Sequence, residues 1–149
     1  MRGRRLRGDA GVATTELVIA TPAFLFLIMM IIQTGLYFHA VSVASAAAQD
    51  GASTAAIGGT EASVADGEDT ARQMLDDLAA RLMPSPQVRG TLVRDAQLNP
   101  QLVRMQVAGD VIPVFVFPGA NVSFHVTETA ESAVERFRPA DEDPPTGSP

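Results

Sequence analysis

Glu16 is the residue whose placement asks for a chemical explanation. It stands in the stretch "GDAGVATTELVIATP", residues 8–22, directly ahead of a run from Leu17 to Phe38 that carries no charge. A carboxylate left unpaired in hydrocarbon costs roughly 2.5–3.5 kcal/mol on insertion scales, so a cation at the same depth would stabilise it there. The other reactive groups make less of a site. Cysteine is absent, which excludes a disulfide framework, a thiolate metal site and a cysteine nucleophile. His39 and His125 lie far apart, and neither has a second His or an acid at the close spacing of zinc motifs. Asp76 and Asp77 are adjacent, so on a helix they point about 100° apart with no base beside them, and they read as a solvated polar face. Phosphate-cradling glycine loops and nucleophile elbows are also missing from the sequence. The expectation is a protein without turnover, cofactor or metal, whose function lies in its N-terminal segment.

The elements around Glu16 follow from charge and periodicity. The net charge of −6 over 149 residues conceals a division: Arg2, Arg4, Arg5 and Arg7 crowd the start, whereas everything after Glu16 holds seven Arg against fifteen Asp and Glu, with no Lys. An acidic body offers no cationic face for phosphates, so nucleic acid is not an expected partner. The 22 residues from Leu17 to Phe38 rise about 33 Å as a helix, close to the thickness of a bilayer's hydrocarbon core. With the Arg cluster on one side only, the N-terminus is expected in the cytoplasm and the body outside the cell membrane. Tyr37 and Phe38 suit the outer interface. Pro22 removes one backbone hydrogen bond that neighbouring backbone or a partner helix would have to replace.

Beyond the apolar run, Ala40, Ala44, Ala48, Ala52 and Ala56 recur every fourth residue and line one side of a helix with little bulk. Two readings stand: a face that another backbone approaches closely, or simply the residue with the highest helix propensity. Gly58-Gly59 ends the segment. A second helix is expected from about Asp66, acting as its cap, to Met83, with a stripe of Ala71, Met74 or Leu75, Leu78 and Leu82, stopped by "PSP". After Pro86 the period becomes two: Val103, Met105 and Val107, then Val122, Phe124 and Val126, alternate with polar residues, which puts His125 on a polar face. "VIPVFVFPG" is apolar on both faces and reads as a short buried edge strand or an irregular segment pressed against a partner. The expected class is α+β: a long N-terminal transmembrane helix extending into a small extracytoplasmic domain with one further helix and a short antiparallel sheet. The expected organisation is a basic cytoplasmic leader (1–11), the transmembrane helix and its extension (12–58), the outer domain (59–138) and an acidic, proline-rich disordered tail (139–149).

Basic residues, then Gly11, then Val12-Ala13-Thr14-Thr15-Glu16 and an apolar helix resemble the processing site of type IV pilin-like proteins. There a membrane prepilin peptidase cuts after Gly, and a Glu stands fifth in the mature chain. The order "TTELVIATP", with Pro22 six residues after Glu16, is similar to the TadE/TadG-like family of minor pilins or pseudopilins, whose members often read A-x-E-F-A-L-x-x-P. The small-residue stretch and the closing "TAESAVERFRP" are similar to that family's actinobacterial branch. Leu17 replaces the usual Phe, Gln33 stands where many relatives carry an acid, and Val12 is an uncommon first residue. The resemblance implies cleavage between Gly11 and Val12, with Glu16 setting the register of packed helices by meeting the new amine. It implies as partners a prepilin peptidase, other pilin-like subunits packing along the helix, a Tad assembly platform in the membrane and the lipid bilayer. Two alternatives remain open: a secretory signal cleaved at "SAAAQD" before Gln49, releasing a soluble binding domain, and an unprocessed single-pass anchor. Glu16 would then be an ordinary hydrated flanking residue.

Overall fold

The computed structural model describes residues 9–113 and 123–134, with side chains from Thr15 onward. Two helices and three strands form an α+β fold in the order α1 (Asp9–Gly58), α2 (Glu61–Ala79), β1 (Gln87–Arg94), β2 (Pro100–Val111) and β3 (Phe124–Ala133). The 50 residues of α1 continue through Pro22 without interruption. They end where Gly59 takes a left-handed conformation, φ +58°, that favours glycine. A Cβ there would also run into Val134.

The second helix starts earlier than its expected cap at Asp66. Thr60, in extended conformation, accepts from the Ser63 backbone N–H (3.1 Å) while the Ser63 hydroxyl accepts from the Thr60 N–H (2.9 Å). Such reciprocal capping satisfies two donors that the first turn cannot. Its end also falls short of Met83: the Met83 N–H still bonds four residues back to the Ala79 carbonyl, but the Leu82 N–H closes a tighter turn on that same carbonyl. The buried stripe is Val64, Gly67, Ala71, Leu75 and Ala79, so Leu78 lies off it and is half exposed.

The sheet is an antiparallel meander, β1-β2-β3. As the period of two requires, Val103, Met105, Val107 and Val111 are buried while Arg104, Gln106 and Asp110 face outward. On that outer face Arg104 lies opposite Glu131 and Asp110 opposite His125, and both pairs close, at 2.7 and 2.9 Å. His125 is thus on the polar face, as the alternation predicts. The strand expected to include Val122 starts at Phe124; Val122, most of the "VIPVFVFPG" stretch and the tail lie outside the described residues.

Both helices cover the other face, α1 over β2 and β3, α2 over β1. Leu75, Met83, Met105, Val103 and Val107 are the large, fully buried side chains. Much of the rest of the core is alanine from α1, which brings backbones close together. The closest approach is at Gly51 and Gly67: a Cβ on Gly51 would lie 2.7 Å from the Gly67 carbonyl oxygen, and one on Gly67 would lie 2.9 Å from the Ala55 Cβ. Along the open edge of β1, α2 supplies two side chains. Glu68 accepts from the Gly90 N–H at 2.7 Å and Arg72 donates to the Val88 carbonyl at 3.3 Å, while the two side chains pair with each other. At these two backbone groups the edge is blocked against pairing with another strand.

The direction of each element follows. Val134, at the end of β3, sits against Gly59 and donates its N–H to Gln101, while the Phe124 ring, at the start of β3, lies 5.7 Å from the Tyr37 ring, edge to face. Ten strand steps of about 3.3 Å and twenty-two helical steps of about 1.5 Å both come to about 33 Å, so β3 and α1 run side by side over the same length. Phe124, its neighbour Ile112 and the end of α2 therefore gather at the end of the domain nearest the apolar run, and the Asp95–Asn99 turn lies at the far end.

Two outcomes are expected. Gly67→Val forces α1 and α2 apart and lowers stability by about 1–3 kcal/mol, the usual cost of overpacking, measured by thermal or chemical unfolding of the full chain in detergent. Asp95 accepts the backbone N–H groups of Asn99 (2.8 Å) and Gln97 (2.9 Å), and its carboxyl is held below its usual value chiefly by the Asn99 N–H. Because the folded value is the lower one, the turn's stabilisation is present above the ordinary Asp value and lost as pH falls through the folded one. Hydrogen exchange at Gln97 and Asn99 should show protection at neutral pH that disappears in acid before the β2 core opens.

Candidate functional site

The first half of α1 has no counterpart in the core. Leu17, Val18, Ile19, Phe24 and Ile31 are each more than 60% exposed, and none of the most apolar eighteen-residue window is buried within the chain. An exposed apolar surface of this extent marks contact with lipid or with other helices. Among the described residues this is the one helix long and apolar enough to cross a membrane. Its few polar groups are mostly self-satisfied: the hydroxyls of Thr21 and Thr34 donate to the carbonyls of Leu17 (2.6 Å) and Met30 (2.8 Å), one turn back.

Gln33 is the exception. Its side-chain oxygen is enclosed and has no hydrogen-bond partner. An amide in an apolar helix is costly unless another group meets it. The sequence marks the position only as a substitution for an acid; the unmet oxygen becomes visible once the neighbouring side chains are placed around it.

Gly11 and Val12 lie in the first turn of α1, where the backbone is helical. Glu16 follows one turn later and is exposed. Val12 and Glu16 are four residues apart, so they share one side of the helix about 6 Å apart along its axis. Glu16 and His39 bracket the uncharged run, and both are exposed.

The alanine stripe is occupied from within the chain. Ala40, Ala44, Ala48, Ala52 and Ala56 are at most 2% exposed, covered by α2 and the sheet. The backbone that approaches this face closely is thus that of α2. Alanine's small volume permits the approach, and its helix propensity keeps α1 straight beneath it. Asp76 and Asp77 are both exposed on α2. A shallow groove beside the β1 edge is lined by Arg72, Gln87, Arg89 and Gln106, which supply hydrogen-bond donors but no nucleophile or general base.

The geometry therefore divides α1 at about residue 39: an outer half consumed by the domain core and an inner half exposed along most of its length. No curated protein and no solved structure matches this chain. Residues 11–53 match the protein family described as TadE-like protein, the same family that the order of Gly11, Glu16 and Pro22 resembles.

Proposed function

We propose that this protein is a pilin-like structural subunit of a Tad-type pilus or a related secretion assembly, cut by a prepilin peptidase between Gly11 and Val12 and assembled through the inner half of α1. The observation that carries the reading is that the family match begins at Gly11, at the inferred cut, and runs through the exposed apolar helix. In this reading the protein sits in the cell membrane as a single-pass subunit, N-terminus inside and domain outside, and can be drawn from there into a surface filament.

The physical reasoning concerns charge. Cleavage would leave an α-amino group on Val12, protonated at neutral pH. Glu16 lies one helical turn away, within reach of its own amine or that of a neighbouring subunit packed at a different depth. Pairing offsets the cost of holding a carboxylate at the lipid boundary, and that cost makes the register between helices specific. Since the alanine stripe is already covered, contacts between subunits fall on the span itself. Gln33 there carries an amide whose oxygen is enclosed by its own chain, so a second helix with a polar group at the same depth would meet it once the side chain turns outward.

The secretory alternative meets a specific difficulty. A cut before Gln49 would remove Ala40, Val43, Ala44, Ala47 and Ala48, all buried, and would leave α2 and β3 facing water along that length. A released domain would need a different core.

N-terminal sequencing of the mature protein should begin at Val12; a start at Gln49 or Met1 would support the released domain or the unprocessed anchor. Glu16→Ala should still insert and be trimmed yet fail to enter the assembly, and normal incorporation would leave Glu16 as a hydrated flanking residue. Gln33→Leu should leave unfolding of the outer domain unchanged while weakening helix association in bilayers by about 0.6–2 kcal/mol, read by energy transfer between labelled copies.

A further inference from the structure

The apolar run can slide little in a bilayer. Its 22 uncharged residues between Glu16 and His39 span about 33 Å against a hydrocarbon core of about 30 Å, which leaves about 3 Å of freedom. Tyr37 therefore sits at the outer boundary. The domain begins there without a linker, since Ala40 is already fully buried in its core and α1 is unbroken. Whatever depth Tyr37 takes, the Phe124 ring lies within 5.7 Å of it. The polar layer of a bilayer is roughly 5–7 Å deep on each side, so Phe124 cannot stand clear of it.

The side chains at this end suit that position. Phe124 is 43% exposed, Ile112 48% and Phe38 63%, although all three are large and apolar. Ile112 follows Val111, the register partner of Phe124, and its N–H is held by the Leu82 carbonyl at 2.9 Å. The end of the apolar run on α1 and the β2–β3 end of the sheet thus present apolar groups at one level, with the Phe38 and Phe124 rings against Tyr37. The nearby ionisable groups are Asp76, Asp77 and Arg81 on and just after α2, the Asp110–His125 pair beside Phe124 and His39 beside Phe38, all exposed. They are not a cationic set, so anionic headgroups are not what this surface selects.

We infer that the end of the α+β domain nearest the span, formed by Phe124, Ile112 and Phe38 around Tyr37, rests in the outer interfacial layer of the bilayer as a second lipid contact. It holds the domain at a fixed height and tilt. This rests on the reading of Leu17–Phe38 as a membrane span. The occupant is the lipid surface, because the patch is continuous with the span and its height is set by the same helix.

The sequence contains no tryptophan, so single-tryptophan reporters are free of background. Four variants of the full chain are reconstituted in phosphatidylcholine vesicles brominated either near the headgroup or near the chain end: Phe124→Trp, Ile112→Trp, Leu27→Trp at mid-span and Ile57→Trp at the far end of α1. Ile57 lies nineteen residues beyond Phe38, about 28 Å along the helix, and is 73% exposed. The indoles at 124 and 112 should lose most of their emission to bromines near the headgroup. The one at 27 should be quenched by bromines near the chain end, and the one at 57 by neither. If position 27 is quenched while 124 and 112 behave like 57, the docking inference is overturned and the span stands. Blue-shifted emission at 124 and 112 without quenching would assign the patch to a protein partner and equally overturn it. Absence of quenching at 27 removes the span and the inference together.

Discussion

Because α1 runs unbroken from Asp9 to Gly58, the apolar run and the core of the domain belong to one rod, and every other element takes its position from it. The rod meets two environments with two kinds of surface. Its inner half carries large branched and aromatic side chains outward, which suits lipid or other helices. Its outer half carries alanine inward, which suits close protein packing. Moving the large residues past residue 40 would leave no room for α2 and the sheet, and moving the alanines into the run would weaken its partition into hydrocarbon.

The narrowness of the α1–α2 contact has consequences for the rest of the domain. With Gly51 and Gly67 backbone to backbone, α2 lies low enough to extend Glu68 and Arg72 over the edge of β1, where they bond to Gly90 and Val88. The Arg72 guanidinium is raised further above its ordinary value, chiefly by its hydrogen bond to Glu68, and stays charged throughout. A three-stranded sheet is thereby protected at two groups of one edge without a further strand. That protection limits unintended strand pairing.

Under the proposed function, in which the protein assembles through its helix, this division of labour is economical. The domain closes on itself and consumes the alanine face, so the inner half of α1, with Glu16 at its threshold and Gln33 within it, is what remains for neighbours. The polar groups there are few, and a polar group in an apolar setting specifies depth more sharply than apolar contacts do, since sliding by one turn leaves it unmet.

Taken alone, the sequence determined the apolar span and its limits, the N-terminal motif, the strand alternation around Met105, the exposed polar side of His125 and the α+β class. Each is a local property, carried by composition or by a period of a few residues. Tertiary structure decided what lies against each face. Periodicity says that the alanines share a side, but that α2 covers them depends on the Gly59 turn and on glycines sixteen residues apart meeting. Asp66 has the composition of a cap, yet Thr60 caps the helix because Ser63 returns its hydrogen bond and also reaches the Ala55 carbonyl. Phe124 reaches Tyr37 across 87 residues of sequence because β3 and α1 match in length, and no local pattern records a contact that two separate elements make only after both are in place.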